Sequence, residues 1–168
     1  MRLFLVRHGL AEDVGPDGTD ATRRLTADGR RRMRAAAAGL QALGLRPDAL
    51  LTSPLPRALD TAEIIGTALG QSPQSLAALG TDSSAPAVVR ALAAYQSCAR
   101  VIVVGHEPTL SEIVALLVTG TSDGMALRFK QGTCVALALR SLLPPGSAVL
   151  RWMLTARQLG HVGRHEPR

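Results

Sequence analysis

The sequence predicts one α/β domain of three layers, a mainly parallel sheet with an antiparallel edge between covering helices. Three observations carry that expectation. Runs of consecutive apolar residues, Leu3-Phe4-Leu5-Val6 and Val101-Ile102-Val103-Val104, read as strands buried on both faces, the pattern of a parallel sheet. Segments with apolar residues at helical spacing alternate with those runs. Two late strands connected through Pro144-Pro145-Gly146 read as a hairpin-connected edge. The chain has 168 residues, of which 46% are hydrophobic and 19% charged, which suits one globular domain with its own core. With no internal repeat, residues 1–168 form one unit, and residues 160–168 read as a loose polar tail.

The first strand runs into Arg7, His8 and Gly9. A parallel sheet delivers such residues to its carboxyl edge, where it binds ligands. A cation, an imidazole and a glycine that lets backbone and ligand approach suit an anion. Taken alone, the stretch is equally a salt-bridged arginine beside a satisfied histidine. Residues 10–25 form a long polar loop containing Glu12, Asp13, Asp17 and Asp20, a length often given to loops that cover a site. Thr26 then reads as an N-cap with Asp28 in the first turn. The helix it starts runs to Leu43, buries Met33, Ala36, Ala37 and Leu40, keeps Arg30, Arg31, Arg32 and Arg34 mostly off that face, and stops at Gly44.

A short strand, Ala49-Leu50-Leu51-Thr52, leads to Ser53-Pro54, read as a cap and the first helical residue. The helix that follows carries Arg57 in its first turn and packs through Leu59, Ala62, Ile65 and Leu69. Residues 75–79 are expected as an edge strand and 86–98 as a third helix. The strand of residues 100–104 ends in Gly105-His106-Glu107-Pro108, and Pro108 opens a helix to Val118. A loop over 119–132 precedes strands over 134–139 and 149–154, and residues 155–159 are expected as one helical turn.

The net charge is +6, and every basic residue except Lys130 is arginine, the side chain suited to bidentate recognition of phosphate and carboxylate. Two Phe, one Trp and one Tyr supply no aromatic platform for single-stranded nucleic acid, so nucleic acid is not an expected partner. No apolar run approaches the ~18 residues of a membrane span, and the first residues lack a signal-peptide pattern. A cytoplasmic monomer without membrane contact is expected. Cys98 and Cys134 are the only cysteines, and no CxxC or HExxH spacing occurs, so neither a metal nor a cofactor is expected.

His8 and His106 end two buried strands, with Arg7 beside one and Arg57 at a helix N-terminus, itself an anion site. Two cations and two imidazoles around one point match phosphoryl transfer: one neutral imidazole attacks phosphorus, and the others stabilise charge on its oxygens. That chemistry requires the two rings within roughly 10 Å of each other.

Arg7-His8-Gly9, Ser53-Pro54-Leu55-Pro56-Arg57-Ala58 and Gly105-His106-Glu107-Pro108 resemble, in order and spacing, the three motifs of the histidine phosphatase superfamily, also called phosphoglycerate-mutase-like. The resemblance is nearest to the small bacterial phosphohistidine phosphatases of the SixA type and covers nearly the whole chain. It implies a phosphoglycerate-mutase-like fold and a nucleophilic His8 that forms a phosphohistidine intermediate. Arg7, Arg57 and His106 would complete the phosphate pocket, with Gly9 and Arg23 as substrate-binding residues. Many members carry a general-acid glutamate after the second helix; residues 76–82 hold none, and Ala78 stands in that region. Asp82 and Glu12 are the nearby carboxylates that could serve. An alkoxide leaving group needs a proton, an aid typically worth about 10²–10⁴ in rate, whereas an imidazole leaves with less help. The expected activity is therefore metal-independent hydrolysis of a phosphohistidine, with a phosphohistidine-containing protein or a small phosphorylated compound as substrate. A small-molecule phosphomonoesterase and a non-catalytic phosphate-binding module are the alternatives.

Overall fold

A computed structural model describes residues 1–164. The chain forms β1 (Arg2–Arg7), α1 (Ala27–Ala42), β2 (Ala49–Thr52), α2 (Pro56–Leu69), β3 (Pro73–Ser75), α3 (Ala85–Leu92), β4 (Arg100–Gly105), α4 (Thr109–Thr119), β5 (Cys134–Ala138), β6 (Val149–Leu154) and α5 (Ala156–Val162). The six strands make one sheet in the order β3-β2-β4-β1-β5-β6. β1, β2, β3 and β4 pair in parallel, and β5 and β6 join antiparallel at one side. This is the expected mixed sheet with an antiparallel edge. Among the described residues no helix is long and apolar enough to cross a membrane.

The unbroken apolar runs have a simple cause. Successive strand residues point to opposite faces, and both faces are covered. Leu3, Leu5, Leu51, Val101, Val103, Val135 and Leu137 pack in a core with Val88, Leu92, Ile113 and Leu117 of α3 and α4. Phe4, Val6, Leu50, Ile102, Val104 and Ala136 pack on the other face with Met33, Leu40, Ile65 and Leu159 of α1, α2 and α5. The β1–β4 register runs from Arg2 opposite Arg100 to Arg7 opposite Gly105. It therefore brings His8 and His106, the next residue of each strand, to the same level of the carboxyl edge.

Four boundaries differ from the sequence expectation. α2 begins at Pro56, not Pro54. Ser53 continues the β2–β4 pairing through its N–H to the Val104 carbonyl at 3.0 Å. Leu55, preceding a proline, is held extended at ψ 139°. The edge strand occupies residues 73–75, and residues 77–79 coil into a 3-10 turn. Four-residue β2 is used up by the pairing from Leu50–Pro73 to Thr52–Ser75, and a proline is tolerated at the start of an edge strand. The third helix stops at Leu92 and tightens to a 3-10 turn over Ala93–Tyr95 before the chain turns into β4.

The fourth difference lies in the region read as a loose tail. α5 runs to Val162 behind a capping box, in which Thr155 Oγ1 accepts from Gln158 N–H and the Gln158 side chain returns to the Thr155 N–H. Its anchor is tertiary: a Cβ at Gly39 would fall 2.0 Å from the Leu159 carbonyl oxygen, so only glycine lets α1 and α5 come so close. Residues 165–168, the rest of that expected tail, lie outside the described residues.

Candidate active site

Each predicted imidazole sits one residue beyond its strand. His8 N–H donates to the Gly105 carbonyl at 3.1 Å, and the two ring centroids lie 5.1 Å apart, within the distance that sharing one phosphate requires. Both side chains are buried.

His8 Nδ1 is 2.8 Å from the Gly9 carbonyl oxygen. A carbonyl only accepts, so Nδ1 carries the proton and a neutral ring leaves its lone pair on Nε2. Burial, reinforced by Arg57, Arg7 and Arg23, lowers the His8 pKa from 6.5 to about 4, against the opposing hydrogen bond to Gly9. The ring is therefore neutral at pH 7. His106 is held by its other nitrogen: Nε2 is 2.8 Å from Ser53 Oγ. Burial, then the fields of His8 and Arg57, lowers its pKa to about 3.

Arg7 Nη1 donates to the Phe129 carbonyl at 2.7 Å. Arg57, in the first turn of α2, is only 4% exposed. Its Nη1 donates to the Asp20 carbonyl at 2.7 Å and its Nη2 to Asp20 Oδ2 at 2.9 Å. Arg7 Nε, Arg57 Nε and His106 Nδ1 are buried and find no hydrogen-bond partner among the described residues. An unmet buried polar group costs about 1–3 kcal/mol, and arginine N–H groups left without a partner beside two imidazoles suit the oxygens of an anion.

The remaining candidates make contacts of their own. Gly9 is required for packing: a Cβ there would lie 2.6 Å from Met33 Cγ of α1. Its N–H donates to Thr61 Oγ1 at 3.1 Å. Arg23 is turned onto its own loop, donating from Nε to the Glu12 carbonyl and from Nη1 to Asp20 Oδ1. Glu12 Oε2 accepts from the Arg24 N–H at 3.0 Å, so this carboxylate ties the ends of the 10–25 loop. Asp82 is exposed in the turn before α3. No hydrogen bond joins Glu12 or Asp82 to either imidazole among the described residues.

Sequence reasoning missed four participants. Asp20 braces Arg57, as described. Thr61 accepts from Gly9 and donates to the Arg57 carbonyl at 2.7 Å, linking the residue after His8 to the start of α2. Asp60 is fully buried and accepts from Arg24, from Arg30 at 2.6 Å and from the Leu25 N–H at 3.1 Å. Burial pushes its pKa up, but these three donors outweigh that and hold it below the usual range. Glu107, half-buried beside His106, is pushed up by burial. Both its oxygens accept from Ser111, from the N–H at 3.1 Å and the hydroxyl at 2.9 Å, so it caps α4. The signal for Asp60 and Thr61 was present in their positions three and four residues after Arg57, on one face of a helix. Among the described residues no cluster of three or more His, Cys, Asp or Glu could hold a metal ion.

The family model for the histidine phosphatase superfamily (branch 1) matches residues 3–80, the segment containing Arg7, His8 and Arg57. An uncharacterized protein of Picosynechococcus is 36% identical over 140 residues, 82% of this chain and 84% of that protein. The structure of the protein histidine phosphatase SixA complexed with tungstate superposes with a TM-score of 0.84 at 26% identity, covering 95% of this chain and 99% of that one. The alpha-ribazole phosphatase of Shigella flexneri shares the fold at a TM-score of 0.73 and 20% identity, covering 93% of this chain and 97% of that one. Motif order, strand-end geometry and relatives converge, and the chain belongs to the histidine phosphatase superfamily.

Proposed function

We propose that this chain is a metal-independent phosphohistidine phosphatase acting on protein phosphohistidine. The observation that carries the reading is the hydrogen bond from His8 Nδ1–H to the Gly9 carbonyl, which leaves Nε2 as a lone pair beside His106. In the first step that lone pair attacks phosphorus. A new N–P bond forms on His8, and the N–P bond to the substrate imidazole, already protonated on its other nitrogen, breaks so that the ring departs neutral. Arg7, Arg57 and His106 hold the phosphoryl oxygens as charge shifts among them. Water then attacks the phosphoryl group on His8, releases inorganic phosphate and restores the neutral ring. The unpartnered Nε atoms of Arg7 and Arg57 and Nδ1 of His106 support these roles.

The leaving group supports the substrate class. An alkoxide must be protonated as it departs, and no carboxylate among the described residues is hydrogen-bonded to the imidazole pair. Glu107, the acid adjacent in sequence, is engaged with Ser111. A departing histidine makes a smaller demand. The test is a substrate panel with rapid quenching. Phosphohistidine should be cleaved much faster than alkyl phosphates, with aryl phosphates between, and an acid-labile phosphoryl group should be trapped on His8. A preference for alkyl esters would replace this reading with a phosphomonoesterase. Phosphate binding without any phosphoenzyme would leave a binding module.

A further inference from the structure

A groove of about 910 Å³ borders the imidazole pair: Arg7 and Gly9, the neighbours of His8 in the chain, line it, while His8, Arg57 and His106 do not. It runs between α1, the 128–131 segment and α5. Arg31, Arg32, Arg128, Lys130, Arg157 and Arg164 line it, and no Asp or Glu does so among the described residues. Arg31 and Arg32 both pair with Asp28, and Arg164 lies 2.9 Å from His161 Nδ1. Arg128, Lys130 and Arg157 are exposed, and among the described residues their side chains make no hydrogen bond or ion pair. The floor is apolar, formed by Ala35, Ala156 and the edges of Met33 and Phe129.

One wall is tied to Arg7 and the other is a capped helix. Phe129, between Arg128 and Lys130, accepts from Arg7 through its carbonyl, and α5 is fixed by its capping box. Seven residues of α5 span about 10 Å at ~1.5 Å per residue, the reach of about three extended residues. One phosphate is too small to fill that length, and a small polyanion gains nothing from an apolar floor. A peptide combining carboxylates with an apolar side chain uses both surfaces.

We propose that this groove docks an acidic extended segment beside the scissile phosphohistidine. Its carboxylates would meet Arg128, Lys130 and Arg157, and an apolar residue would rest on Ala35 and Ala156. The substrate placement rests on the function proposed above, but the binding site is testable without turnover. The full chain and its Arg128→Gln/Lys130→Gln/Arg157→Gln variant would be titrated with a labelled, unphosphorylated hexapeptide of glutamates and one leucine. A matched glutamine peptide is the control. The wild type should bind the acidic peptide about tenfold more tightly than the control, what three exposed ion pairs supply together. High salt and the triple substitution should each erase that preference. The variant should keep its kcat/KM on free phosphohistidine or an aryl phosphate, which reach only the inner pocket. Equal binding of the two peptides by the wild type would overturn the proposal, as would an acidic preference that survives in the variant. Tripolyphosphate binding that depends on the three residues, with no binding of the acidic peptide, would also overturn it in favour of a small polyanion. Peptide binding as expected with no cleavage of any phosphohistidine would instead strike the proposed activity and leave the groove standing.

Discussion

The ends of β1 and β4 are built alike and finished differently. Each is a run of buried aliphatic residues that delivers one histidine to the carboxyl edge, and the two rings lie 5.1 Å apart. His8 is fixed through Nδ1 by a backbone carbonyl one residue away. His106 is fixed through Nε2 by a serine hydroxyl from a different strand. The carbonyl can only accept, so it dictates which nitrogen of His8 is protonated. The hydroxyl can donate or accept, so it orients His106 without dictating its tautomer. The difference teaches that one residue type at two matched strand ends can be given different free ring atoms by choosing which one is tied down, as the proposed division of roles requires.

Breaking the β1 side should have the largest effect. His8→Ala is expected to lower turnover by about 10⁴-fold or more, as for other nucleophiles that act as part of a unit, and to abolish the trapped phosphoenzyme. Full activity in that variant would refute the asymmetry. His106→Ala should cost about 10²–10³ in kcat, the scale of one lost oxyanion donor, while a slowly formed phosphoenzyme remains detectable by quenched labelling. Ser53→Ala should cost about tenfold in kcat, the loss of one ordering hydrogen bond, with KM unmoved. Its effect should vanish in the His106→Ala background, and additive losses in that double-mutant cycle would show that Ser53 acts on something else.

A pH experiment sharpens the comparison at smaller amplitude. Activity should hold from neutral pH to about pH 5 and fall only near the His8 value of about 4. Stability should behave differently. Both histidines have folded pKa values below the unfolded 6.5, so the unfolded chain takes up protons first as pH drops. Their stabilisation is complete above pH 6.5 and is lost progressively toward about pH 4 for His8 and about pH 3 for His106, at roughly 1.4 kcal/mol per unit for each. Calorimetric Tm should therefore decline through that window while activity stays level, and His8→Ala should have the shallower slope.

The four pocket residues were legible because their chemistry is local. A histidine after an aliphatic run, or an arginine after proline at a helix start, announces its position from its neighbours. Asp20 was not, because its partner Arg57 lies 37 residues away, and although the spacing of Asp60 and Thr61 from Arg57 could be read, their bonds to Arg30, Leu25, Arg24 and Gly9 span 30 to 52 residues. The packing of Gly9 against Met33 was not legible for the same reason: Met33 belongs to a helix that the strand alone does not reveal. The start of α2 was misplaced because Ser53 was read as a helix cap, whereas the sheet and His106 claim it. α5 was cut short because its stability comes from the contact with Gly39, and composition at residues 160–162 carries little trace of that contact. The capping spacing of Thr155 and Gln158 was visible and went unused.

The 10–25 loop is clasped at its base and open at its tip. An antiparallel bridge joins Ala11 to Leu25, Glu12 and Arg24 bond through backbone and side chain, and Asp60 fixes Arg24 and Leu25 from below. Between those clasps, residues 16–21 are exposed. Chain inserted near Gly18, short of Asp20 and its bonds to Arg57, would mainly change the entropy of a loop whose ends are already closed, about 0.6 kcal/mol for each doubling of length. The loop is therefore a place where added chain can be accommodated beside the two imidazoles without disturbing the strand that carries His8.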